Sequence, residues 1–199
     1  MKSFWKKLRN ITTGINSIRD ITLQGHILQS EYDPILNTPR VIKVRATPFL
    51  HNPGYALSET QEYGPDIENV FWLPWLNYRV TYAARAQYEY SKSCNFFITS
   101  ALTGCRFTVT PDLVLHVAHG AIGSTVFTRT GAEEDITGAR HQRTRRLSIS
   151  HDNPPNDICY GINGIPHRTL VFGVKLFDGV WTYKIFKSFP APGSWETIL

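Results

Sequence analysis

The sequence predicts an α+β domain in which strands outweigh helices. Three observations carry this: seven segments rich in β-branched and aromatic residues, an Asp-Gly pair joining the last two, and one amphipathic stripe near the start. The stripe is Phe4, Leu8, Ile11, Ile15 and Ile18, the spacing of a helix face, interrupted by Gly14. Lysines and arginines hold most of its other face. The pattern favours a helix laid on the protein's own core over a membrane-surface or chaperone-binding segment. The strand segments are 40–47, 70–75, 79–83, 106–110, 113–119, 170–177 and 180–189. Asp178-Gly179 supplies the positive φ angles of a tight type I′ hairpin. Residues 51–68 carry Gly, Pro and acids without periodicity and read as a surface loop with at most one helical turn. Residues 133–146 and 151–157 (HDNPPND) read as polar excursions between strands, where binding function commonly sits.

With 199 residues, 42% hydrophobic and 13% aromatic, the chain is neither disordered, collagenous nor a coiled coil. The net charge is +5, and the excess concentrates in residues 1–19, where Lys2, Lys6, Lys7, Arg9 and Arg19 meet no acid. This sets apart a basic amphipathic segment, 1–35, from a single domain, 36–199. A nucleic-acid binder spreads its basic footprint over a folded face, so no direct nucleic-acid contact is expected. No window approaches 18 apolar residues, which excludes a transmembrane helix. The opening MKSFWKKLRNITTG lacks the apolar core of a secretory signal. Cys94, Cys105 and Cys159 are odd in number and form no CxxC or zinc pattern; they read as thiols in a reducing compartment.

The chemistry-bearing stretch is residues 96–120, FFITSALTGCRFTVTPDLVLHVAHG. Cys105 opens one short strand, Pro111-Asp112 makes a turn, and a second strand carries His116. A turn symmetric about the Thr110–Pro111 bond sets Cys105 directly opposite His116, with Cβ atoms about 4.5–5.5 Å apart. That separation suits a thiolate–imidazolium pair in which the positive ring lowers the thiol pKa. A one-residue slip separates them onto opposite faces. His119, at the strand end before Gly120, is the alternative base. A metal site is not expected, because strand alternation separates the two histidines and no fourth ligand is evident. On spacing alone, a buried apolar Cys and a satisfied strand His describe the residues better.

A wider likeness changes the balance. Thr99, with Phe96-Phe97, Leu102-Thr103-Gly104-Cys105 and Val114-Leu115-His116, resembles the Thr…(Leu-Ser-Gly)-Cys…His arrangement of bacterial toxin glutamine deamidases, the family of Burkholderia lethal factor and the cytotoxic necrotizing factor catalytic domain. Trp72-Leu73-Pro74-Trp75 resembles a segment of the same family, and residues 169–189 fit its last strands loosely. The likeness covers residues 65–190, and residues 1–35 have no counterpart. One departure is Thr103, which stands where the family motif has serine.

The resemblance implies a central mixed or mostly antiparallel β-sandwich flanked by helices and long loops. It implies Cys105 as nucleophile, His116 as general base and acid, and Thr99 as the group that orients the histidine. The backbone N–H of Cys105 would serve the oxyanion hole, with Gly104 clearing the substrate's approach. No cofactor is implied. The implied function is a toxin or effector that converts glutamine to glutamate on a host protein, with a translation initiation RNA helicase first and Rho-family GTPases second. It implies a monomer reaching the host cytosol by a non-classical route. Arg140, Arg143, Arg145 and Arg146 read by default as a solvated loop, and in a deamidase acting on folded proteins the same loop would grip an acidic target surface. Transglutamination, a cysteine protease or acyltransferase, and a non-catalytic basic module binding RNA or acidic lipid are the alternatives.

Overall fold

The structure is a computed structural model that describes residues 3–10, 15–27, 38–138, 145–148, 158–159, 161–162, 165–166, 168–188 and 192–197. Its strands are β1 (Asp20–Gln24), β2 (Arg40–Pro48), β3 (Gly54–Glu59), β4 (Ile67–Leu73), β5 (Val80–Ala84), β6 (Phe96–Thr99), β7 (Arg106–Val109), β8 (Leu113–Val117), β9 (Arg145–Ser148), β10 (Ile158–Cys159), β11 (Gly161–Ile162), β12 (Ile165–Pro166), β13 (Thr169–Lys175), β14 (Trp181–Lys187) and β15 (Ser194–Thr197). Among the described residues three α-helices accompany them: α1 (Phe4–Arg9), α2 (Ala86–Glu89) and α3 (Arg129–Thr137). The class is mixed and mostly β, as the sequence predicts.

Eight strands form one sheet in the order β1-β3-β2-β4-β6-β13-β14-β15, and five form a second in the order β10-β9-β7-β8-β5. Strand alternation divides the side chains of the large sheet into two cores. Val70, Trp72, Phe96, Ile98, Leu170, Phe172 and Phe186 face a core shared with Phe4, Trp5, Leu8, Ile15 and Ile18. Phe71, Leu73, Phe97, Val171, Tyr183 and Ile185 face the other way, onto Phe107, Val109 and Val114 of the small sheet. Beyond the small sheet, Leu115 and Val117 pack with Ala132 of α3.

Phe4, Leu8, Ile15 and Ile18 of the amphipathic stripe lie on the protein's own core; Ile11 falls outside the described residues. The helix stops at Arg9, capped by Ser3 at the start and by Asn10 in an extended conformation at the end, and Ile15 and Ile18 reach the same core from beyond it. Asp20–Gln24 then adds a strand parallel to β3. Among the described residues, 3–10 and 15–27 pack on the same core as the strands that follow.

Three expectations need correction. Residues 51–68 hold β3 and the start of β4 rather than a loop; the strand GYALSE is buried on both faces, so no alternation marks it. The last hairpin is present, with Lys175 opposite Trp181, but only Gly179 has positive φ (86°). Type I′ needs two such residues, and the Leu176–Val180 hydrogen bond (2.8 Å) instead closes a three-residue loop. Glu133 to Thr137 complete α3, and Arg145 and Arg146 lie on β9, so the polar excursion is shorter than expected. Arg140, Arg143 and residues 151–157 fall outside the described residues.

Candidate functional site

The site stands where the end of β6 meets the inner face of the small sheet. Thr99 closes β6 on the face that looks toward β8, because Phe97 of the same face packs there and side chains alternate. His116 shares the inward face of β8 with Val114, whereas Leu115 and Val117 look toward α3. The two meet: Thr99 Oγ1 lies 2.8 Å from His116 Nδ1. The hydroxyl donates its proton to the Leu73 carbonyl, also at 2.8 Å, so it accepts from His116 Nδ1–H. That fixes the tautomer and leaves the lone pair on Nε2. Nε2 is buried with no hydrogen-bond partner among the described residues. A buried polar atom left so is costly and marks a place to look for chemistry.

Cys105 enters from the loop before β7. The turn is symmetric about Pro111–Asp112, not Thr110–Pro111: Val109 pairs with Val114 and Phe107 with His116, and Thr110 N–H donates to the Leu113 carbonyl. The register is therefore two residues from the expected one. A two-residue shift preserves the face, so Cys105 keeps the side of Phe107 and Val109, but it stands diagonal to His116 rather than opposite. Gly104 holds φ at 141°, a conformation a side chain would strain, and its carbonyl accepts from Arg129 Nη1 at 2.5 Å. The first residue of α3 thus anchors the loop that carries the thiol.

The expected resting ion pair is not supported. Burial pushes the Cys105 thiol up, outweighing the lowering effects of the His119 backbone, the Trp75 indole, the Arg129 charge and the Thr103 backbone. Burial also pushes His116 down to about 3. Both groups are neutral at pH 7, and the pair is a thiol and an imidazole.

Cys105, 6% exposed, lines a cavity of about 490 Å³ together with Trp75, Tyr78 and His119. His116 is 1% exposed and is not among the residues lining that cavity. Trp72, Phe172 and Trp181 are core residues, whereas Trp75 is half-buried at the cavity. Tyr78 at the mouth is 70% exposed and is the one non-glycine residue of positive φ (58°) among those described, a strained conformation of the kind that clusters at functional sites. Ser100 and Arg168 also line the cavity; nothing in their spacing marked them. A larger cavity, about 840 Å³, lies at the opposite end of β6 beside Trp5, Arg9 and Phe177, and contains none of the expected site residues. Among the described residues no group of His, Cys, Asp or Glu is placed to hold a metal ion, and no helix is long and apolar enough to cross a membrane. Cys94 is buried, its thiol on the Phe96 carbonyl at 3.1 Å, a structural role.

No protein-family model matches the chain, and no curated protein matches it.

Proposed function

We propose that the chain is a cysteine-dependent protein glutamine deamidase with the fold of the toxin deamidases. The observation that carries this reading is the fixed tautomer of His116. Thr99 holds Nδ1, Nε2 keeps its lone pair buried and unpartnered, and Cys105 stands on the same face of the sheet at a cavity. In the reaction, His116 Nε2 takes the thiol proton as sulfur bonds to the carboxamide carbon of glutamine. The tetrahedral oxyanion collapses with breakage of the C–N bond, and the imidazolium returns its proton to the departing ammonia. Water, activated by the same nitrogen, hydrolyses the thioester to glutamate. The backbone N–H of Cys105 is the oxyanion donor in this reading, with the Trp75 indole close to the sulfur. The target is a host protein, reached by a non-classical route; the initiation helicase and then Rho-family GTPases are the first to screen, on the family resemblance alone.

The test compares wild type with Cys105→Ser in cell extract, reading glutamine-to-glutamate conversion by mass. Conversion with the wild type only is expected, with a loss of at least about 10³-fold in the variant. Conversion by both variants, or cleavage of a target with no conversion, overturns the reading; the second outcome selects the protease alternative. Because His119 lines the cavity beside Cys105, it is the second candidate base. Activity that survives His116→Gln and is lost in His119→Gln would assign the role to it.

Thr99 acts through His116 and is a positioning residue. Thr99→Val is expected to lower kcat about 10²-fold at nearly constant KM, since a freed imidazole populates the wrong tautomer. Thr99→Ser restores the hydroxyl and is expected to recover most of the rate; failure of that rescue would make Thr99 merely structural.

A further inference from the structure

We infer that Arg168 and Ser100 form a carboxylate-binding subsite in the cavity of Cys105, so that the substrate carries an anionic group beside the carbon the thiol attacks. The inference rests on Cys105 being the reacting thiol. Arg168 Nε and Nη2 are both buried, and neither has a hydrogen-bond partner among the described residues. These two nitrogens belong to one edge of the guanidinium, the edge that presents two parallel N–H donors to a planar carboxylate. Ser100 is 1% exposed and its Oγ is also without a partner. Both residues line the cavity that holds Cys105, and among the described residues none that lines it is acidic.

An unpaired guanidinium edge and a bare hydroxyl beside one cavity are expensive to keep, because each loses its water without gaining a partner. A carboxylate supplies all three missing acceptors. A neutral glutamine amide would satisfy Ser100 and leave the guanidinium edge half-occupied. The shared chemistry is therefore a carboxylate adjacent to the carboxamide. It comes either from an acidic residue next to the target glutamine or from the α-carboxylate of a C-terminal or free glutamine.

Two alkylating reagents of similar size read the charge preference without requiring turnover: iodoacetate carries a carboxylate and iodoacetamide a carboxamide. Their rates at Cys105 are followed on the Cys105 peptide by mass, and their ratio is normalised to the same ratio in the urea-unfolded chain. The wild type is expected to favour iodoacetate by about tenfold, the order of one charge-assisted contact. Arg168→Met is expected to bring the normalised ratio to about one, Arg168→Lys to leave it intermediate, and Ser100→Ala to lower it. Lys92→Met, at an exposed position, controls for overall charge and leaves the ratio unchanged. The Arg168 main-chain carbonyl is held by Ser188 N–H (3.2 Å) and Ser188 Oγ (2.6 Å), contacts that a side-chain substitution preserves.

A wild-type ratio of about one, or a ratio unmoved by Arg168→Met, overturns the inference while leaving the deamidase reading standing. No modification of Cys105 by either reagent overturns both. The source of the carboxylate is read from protection against iodoacetamide. A capped Gln-Glu dipeptide protecting best assigns it to a neighbouring residue, and free glutamine protecting best assigns it to the α-carboxylate. Equal protection by capped, uncharged glutamine amide overturns the subsite.

Discussion

Glu133→Ala is expected to destabilise the fold by about 3–5 kcal/mol, the cost of leaving a buried charge without its partner. Glu133 of α3 and Arg106 of β7 are 0% and 1% exposed, with Glu133 Oε2 2.7 Å from Arg106 Nη1. Thr130 Oγ1 accepts from the same nitrogen at 3.3 Å. Neither residue has room to reach water, so removing the carboxylate strands the guanidinium. For a chain of this length the loss corresponds to a fall in Tm of about 10 °C, measured by calorimetry. Arg106→Met with Glu133→Leu removes both charges and is expected to recover most of that loss, because desolvation then no longer opposes burial. A single variant within about 1 kcal/mol of wild type would show that water enters beside α3. The consequence reaches the site, since Arg106 directly follows Cys105 and Arg129 of the same helix holds the Gly104 carbonyl. Loosening α3 therefore releases two tethers of the nucleophile loop.

What the sequence made legible follows from the range over which each signal acts. Segments 40–47, 106–110 and 113–119 were readable because composition and neighbouring turns act locally, and all correspond to strands. Phe96–Thr99 lies at the centre of the large sheet, buried on both faces, and a four-residue apolar run has no period to distinguish it. The register of β7 and β8 turned on one bond: Pro at the first inner position and Asp at the second make a two-residue turn centred between them, which places His116 opposite Phe107. Thr99 and His116 are 17 residues apart, and composition gives no sign of their contact; only the family pattern named both. Arg168 and Ser100 gave no local signal, since they come to the cavity of Cys105 only through the packing of the fold. The reversed electrostatics have the same origin. A thiol and an imidazole at strand spacing suggest an ion pair, but burial, which is a property of the finished core, opposes both charges.

That burial gives the largest expected pH effect. His116 ordinarily titrates near 6.5 and in the folded chain near about 3, so between these values the unfolded chain binds a proton that the folded chain refuses. Stability from this group is fully present above pH 6.5 and is lost as the pH falls toward 3, by on the order of 5 kcal/mol over the whole interval. From pH 7 to pH 4 about 3 kcal/mol of that loss is expected, a large share of an ordinary folding free energy. Urea midpoints across this range measure it. His116→Gln keeps a hydrogen-bonding group for Thr99 without titrating, and is expected to flatten the curve by that amount. An imidazole resonance of His116 titrating near 6.5 would overturn both the burial and the stability effect. The same two shifts shape the rate profile of the proposed reaction. With the base neutral down to about 3 and the thiol raised above its ordinary value, kcat/KM is expected to stay level from about pH 5 to 8. A resting thiolate–imidazolium pair would instead give a bell with limbs set by the formation and loss of that pair. The level profile places proton transfer from Cys105 to His116 within the attack itself, which is why the Thr99 hydrogen bond that fixes the accepting nitrogen carries so much of the expected rate.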